Sequence, residues 1–300
     1  MNIKKIYLLC MLIFSLKPYN PDKIIIFVHE EKPFPWASLI LNSSKKKYIK
    51  TRWKKVNGYA AEQKGLINIT ELPITAFSQP HHPIYFTKEK YKTNQIFFFQ
   101  YNWDGSSQKN DIRKAACRLS KEIRALKKQY PNTALILIGY SHGGNIIAQS
   151  STLFKRHEEI TYETVVLLAT PIGKSTEHWL TKKRARGNYI VKEVYVLSSH
   201  GDYQQIKDFL FNFPFCSKFI EHRSHGVQNF YVQFRYNDIF QKDSFIYLPN
   251  HKNFFYQENL CIKNKQFTLH PIIYHTPSLI TKKKQYGEKA KKIPCLTINI

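Results

Sequence analysis

Short, largely apolar runs recur along the chain, at 23–28, 95–101, 134–138, 164–168, 191–197 and 229–236. A run with no polar alternation fits a strand buried on both faces of a parallel sheet. Between these runs the period changes. Over 111–130, Ile112, Ala115, Ala116, Leu119, Ile123 and Leu126 recur at i, i+3, i+4 and i+7 and form one stripe of an amphipathic helix, which Pro131-Asn132 ends. Further helices are predicted over 144–155 and 176–183. Strands alternating with helices predict an α/β fold with a mostly parallel central sheet and helices on both faces.

Three stretches break this rhythm. Residues 31–94 are polar, basic and punctuated by Pro33, Pro35, Pro73, Pro80 and Pro83, and are read as a long insertion between the first two strands. Segments 212–226 and 239–270 are also irregular. The run at 229–236 is read as the last strand, and 291–300 as a C-terminal tail. At the other end, Lys4 and Lys5 precede an apolar stretch from Ile6 to Leu16. A basic start followed by a short apolar run is the pattern of a secretory signal peptide and is too short for a membrane span. The expectation is an exported protein, periplasmic or secreted, with a leader over 1–20 and a single domain over 21–290.

Charge changes the picture little. The formal net charge is +25, from 46 Lys+Arg against 21 Asp+Glu, but the basic residues are scattered and lysine-rich. Lysines are poor readers of base edges, so no specific nucleic-acid partner is expected, and peripheral contact with an anionic membrane is the partner that the charge fits. None of the five cysteines forms a C-x-x-C pair, so no metal or redox site is predicted. Cys117 is placed on the buried helix face, and Cys216 with Cys261 is a candidate pair in an oxidising compartment.

The run at 134–138 leads into Gly139-Tyr140-Ser141-His142-Gly143, a G-x-S-x-G pentapeptide, and then into Gly144-Asn145-Ile146-Ile147-Ala148. A serine hydroxyl is a weak nucleophile unless a tight turn exposes it, a base takes its proton and amides receive the oxyanion. A strand, a sharp turn and a helix whose first amides point back at the serine supply the turn and some of those amides. Downstream, the run at 191–197 is followed by Ser198-Ser199-His200-Gly201-Asp202, so Asp202 stands at a strand tip where a histidine-orienting carboxylate belongs. Asp104, in Trp103-Asp104-Gly105, is read as a turn residue. The base is expected before the helix start that Thr276-Pro277 signals, at His270 or alternatively at His275.

Together these pieces resemble the α/β-hydrolase superfamily, in its lipase and esterase branch. They are the strand ending in Val28-His29, the elbow at Ser141, the apolar tip Leu167-Leu168-Ala169-Thr170-Pro171, and Gly201-Asp202 ahead of a terminal histidine. The resemblance spans roughly 23–286. It implies a serine hydrolase of carboxylic esters, small-molecule or lipid, working through Ser141, His270 and Asp202 without metal or cofactor. Amides near His29 and at His142 would hold the oxyanion. One departure weighs against activity. The family has His-Gly where this chain has His29-Glu30, and Glu30-Glu31 brings negative charge near a developing oxyanion. The alternative is a catalytically impaired, exported binding or effector protein on the same fold.

Overall fold

The computed structural model describes residues 20–29, 64–72, 83–91, 93–103, 109–155, 157–182, 190–199, 220, 226–238, 243–247, 258–262, 265–269, 272 and 295–299. Strands β1 (Lys23–Val28), β3 (Ile96–Asn102), β4 (Ala134–Tyr140), β5 (Tyr162–Leu168), β6 (Val191–Ser198) and β7 (Val227–Asp238) grow from the six apolar runs. They pair in parallel in the order β3-β1-β4-β5-β6-β7. All of them therefore end at one rim. Register holds the central tips level: Val28 lies opposite Gly139, and Gly139 opposite Leu167.

The helices are α1 (Pro83–Tyr91), α2 (Lys109–Gln129), α3 (His142–Ser151) and α4 (Lys174–Thr181). Every residue of the predicted stripe on α2 is buried. It packs with α3, α4 and one sheet face, where Ile24, Ile26, Leu135, Leu137, Val165, Leu167, Val194 and Val196 form one core. The alternate residues Ile25, Phe27, Ile136, Ile138, Val166, Leu168, Tyr195 and Leu197 form a second core on the opposite face, against which Tyr91 of α1 packs. Successive side chains point to opposite faces of a strand, so a run apolar throughout feeds two cores at once. Cys117 is only half-buried, at the border of the α2 stripe and not inside it.

The segments read as irregular hold more structure than expected. Within 31–94 lie β2 (Gly65–Asn68), an antiparallel edge strand on β3, and α1. Within 239–270 lie β8 (Asp243–Tyr247), β9 (Glu258–Ile262) and β10 (Lys265–Leu269), the last two forming a separate antiparallel pair. The tail contains β11 (Cys295–Asn299), which pairs in parallel with β7, so β7 is not the last strand. These strands are short, and a four- or five-residue strand carries too few positions to declare a period.

Strand β7 outruns its neighbour. Its pairing with β6 ends at Ser198 opposite Tyr231, while β8 pairs from Phe234 onward and β11 from Tyr231 to Arg235. Residues that pair with both β8 and β11 must offer them opposite edges, so β8 continues the edge that β6 leaves. The β7–β8 pair thus rises past the rim where the parallel strands end.

Candidate active site

Ser141 occupies the turn between β4 and α3 with φ 53 and ψ −128. A side chain at this φ crowds the backbone and costs about 1–3 kcal/mol, which only surrounding structure can hold in place. That structure is present in the packing of its glycines. A Cβ on Gly139 would come within 2.6 Å of both the Cα and the nitrogen of Gly144 across the turn. One on Gly143 would come within 2.6 Å of the His29 carbonyl oxygen and press on that of Val28. Gly144 in turn lies against Thr170, past the tip of β5. Strand, helix and the β1 tip therefore meet at backbone contact, the helix also meets the Thr170 side chain past β5, and the Ser141 amide is tied down by donating to the Leu168 carbonyl (2.9 Å).

The serine also stands at the N-cap of α3, a position where a hydroxyl ordinarily accepts from an amide of the first turn. It makes no capping hydrogen bond. A residue well suited to capping is present, yet its geometry withholds the oxygen from that use. A strained serine at the tip of a central parallel strand, pinned by close packing at the start of a buried helix, has the strand–turn–helix geometry of a nucleophile elbow. The fold is α/β-hydrolase-like.

Side-chain hydrogen bonds fix the neighbours of the elbow. His142, 1% exposed, has its ring Nδ1 3.4 Å from Asn145 Nδ2. The Asn145 Oδ1 accepts from the Thr176 hydroxyl at 2.6 Å. With its oxygen committed to Thr176, Asn145 donates from nitrogen, so His142 accepts at Nδ1. This chain ties α4 to the first turn of α3. Neither Asn145 nor Thr176 stood out in the sequence; the spacing of Asn145 at i+3 from His142 was the available signal.

His29, past the tip of β1, is 2% exposed. Its ring stacks on Trp103 (centroids 6.0 Å apart, planes 25° apart). Its carbonyl accepts from the Trp103 indole N–H at 3.1 Å, and its Nε2 from the Trp103 amide at 3.4 Å. At the tip of β5, Ala169 also has a positive φ of 47, and its amide donates to the Leu197 carbonyl at 3.0 Å. At the tip of β6, Ser198 and Ser199 are fully buried. Lower on β6, Tyr195 stacks on Phe230, and burial, with Glu193 beside it, pushes its phenol up to about 12.

Ser141, His142 and His29 are thus brought together at one rim. Glu30, Asp104, Asp202, His270 and His275 lie outside the described residues, as do 1–19 of the expected leader and Cys216. The nearest described positions are Ser199 ahead of Asp202, and Leu269 and Ile272 on either side of His270. Ile272 is fully buried in the second core.

No family model matches the chain, and no curated protein matches it. Solved structures that resemble it include a Trichoderma reesei cutinase in complex with a phosphonate inhibitor (12% identity, TM-score 0.31, covering 60% of this chain and 64% of that one). Another is the lin2722 product of Listeria innocua (11% identity, TM-score 0.37, 92% and 98%). A third is phospholipase PlaB from Legionella pneumophila in complex with thio-NAD (12% identity, TM-score 0.30, 76% and 48%). The chain spans less than two thirds of the cutinase and about half of the phospholipase. Likenesses at this distance stand beside the fold assignment, which rests on the sheet order and the elbow.

Proposed function

We propose that this protein is a serine hydrolase of carboxylic esters, with lipid or other acyl esters as its substrate class. Ser141 is the nucleophile, His270 (or His275) the general base, and Asp202 the carboxylate that orients it. The observation that carries the reading is the Ser141 backbone, held at φ 53 with its hydroxyl unused as a cap. Strain of this kind persists where function selects it.

In the proposed reaction, the base takes the hydroxyl proton as Ser141 Oγ bonds to the ester carbonyl carbon. The carbonyl oxygen becomes an oxyanion, received by the His142 amide and by amides following His29. The intermediate collapses, the alcohol leaves with the proton from the base, and the acyl group remains on Ser141 until water repeats the sequence and releases the acid. The test is labelling by a fluorophosphonate, which phosphonylates activated serines. Wild-type protein should label and Ser141→Ala should not. A folded wild type that stays unlabelled sinks the enzyme reading.

That outcome would favour the second reading, a binding or effector protein on the same fold. Glu30-Glu31, following His29, is the feature that supports it, because carboxylates near an oxyanion oppose its formation. In either reading we place the protein outside the cytoplasm, on the strength of the basic-apolar N-terminus. The N-terminal sequence of the mature protein tests this, and retention of 1–20 would count against it. Peripheral contact with anionic membrane is proposed from net charge alone, and such binding must weaken as salt rises.

A further inference from the structure

We infer that Trp103 is a positioning residue, whose indole N–H holds the His29 carbonyl, at the end of β1, in register with the Ser141 turn. The inference deepens the hydrolase reading and rests on it for its catalytic consequence. Trp103 directly follows β3, whose parallel ladder with β1 closes at Val28 opposite Tyr101. Beyond that point the ladder no longer fixes the chain. Trp103 takes over with two hydrogen bonds of its own, from indole N–H to the His29 carbonyl (3.1 Å) and from amide to the His29 ring (3.4 Å). The ring–ring stack adds a third contact.

The same His29 carbonyl is what Gly143 approaches from α3. One oxygen is therefore met by the indole from β3 and by the helix that follows the serine. A peptide unit is planar, so fixing its carbonyl end fixes the orientation of the whole unit. In the hydrolase reading the amides following His29 help to receive the oxyanion, and donors of that kind act only when already aimed. Trp103 is 2% exposed, and a buried indole N–H ordinarily finds a partner. Here that partner is the backbone beside the nucleophile, not a distant part of the core.

The experiment replaces Trp103 with benzothienylalanine, which keeps the ring shape and removes the N–H, alongside Trp103→Phe. Trp179→Phe on α4, half-buried against the first core, is the control for loss of an indole elsewhere. Three quantities are read: kcat and KM on a p-nitrophenyl ester, the rate of fluorophosphonate labelling, and the amide NMR shifts of Val28, His29 and Gly143. Both Trp103 replacements should lower kcat and labelling about tenfold or more, with KM within about twofold. The three amides should shift, and the Trp179→Phe control should do neither. A benzothienylalanine protein with wild-type kcat and unmoved amides overturns the inference, because packing alone would then suffice. Should wild-type protein neither label nor turn over ester, the hydrolase reading fails, and the amide shifts alone decide whether the indole N–H positions the end of β1 at His29: moved, it does; unmoved, it does not.

Discussion

The two ends of α3 treat the same chemistry in opposite ways. At the C-terminal end every hydroxyl is used. Ser150, Ser151 and Thr152 each donate back to a carbonyl of the preceding turn, at 2.7, 2.7 and 2.8 Å. Ser150 also meets the buried Tyr162 hydroxyl at 2.7 Å. The chain beyond is fastened to α2 by Arg124, which donates to Glu158 (2.9 Å) and to the Leu153 carbonyl and lies over the Phe154 ring. Such back-bonded hydroxyls compete with the helix, which explains why α3 stops at Ser151 and not at 155 as its sequence suggests. At the N-terminal end, Ser141 has the position of a cap and makes no cap bond, on a strained backbone. One end is arranged for stability alone. The other gives up stability, and the proposed hydrolase reading is what would make use of its withheld hydroxyl.

The largest effect should come from breaking the packing that holds the strain. Gly143→Ala drives a methyl group into the carbonyls of Val28 and His29, which are backbone and cannot turn aside. We expect a loss of about 3 kcal/mol or more in urea unfolding, together with loss of labelling. A stable, labelling variant would show that the elbow is looser than its contacts imply. The next effect belongs to the other end. Ser150→Ala deprives the buried Tyr162 hydroxyl of a partner and should cost about 1–3 kcal/mol. Fluorophosphonate labelling of the folded fraction should be unchanged, and a fall in its rate would blur the contrast between the two ends.

The strained serine makes the opposite prediction. Ser141→Gly relieves the positive φ while ending any chemistry at the site, and should raise stability by about 1 kcal/mol. Ser141→Ala keeps the Cβ and loses no cap, so its stability should stay within about 0.5 kcal/mol of wild type, where removal of a working serine cap costs about 1. A clear loss of stability in Ser141→Ala would mean that the hydroxyl contributes to the helix after all.

How far the sequence carried this contrast follows from what each feature depends on. The six parallel strands and the α2 stripe were legible because double-sided burial leaves an unbroken apolar run and a helix leaves its own period. The elbow was legible because close backbone approach demands glycine at fixed offsets from Ser141. The withheld cap was not, since Ser before a helix reads as a cap unless φ is known. Ala169 gave no warning of its positive φ, because nothing in an alanine marks a left-handed position. Strand β11 was missed for another reason. It pairs with β7 across a long sequence separation, and a five-residue strand carries no local sign of a distant partner. The Trp103–His29 contact likewise joins the tips of two strands far apart in sequence.

The smallest effect is a pH dependence confined to the stabilised end of α3. The hydrogen bond from Arg124, above all, holds the Glu158 carboxyl below the ordinary glutamate value of 4.5, with the Lys155 amide adding to it and burial opposing it. A carboxylate so held binds its proton less readily folded than unfolded. Its contribution is therefore fully present above the ordinary value and is lost as pH falls through the lowered one. The pair is partly exposed, with side chains 31% and 19% accessible, so the contribution should be under about 1 kcal/mol. Glu158→Gln should be less stable than wild type near neutral pH, and the gap should close as pH falls below the ordinary value of 4.5 and through the lowered one. Unfolding curves across that range decide it. A gap that widens toward acid would mean that Arg124 does not govern this carboxylate, and that the end of α3 is held by packing on Phe154 and Tyr162 instead.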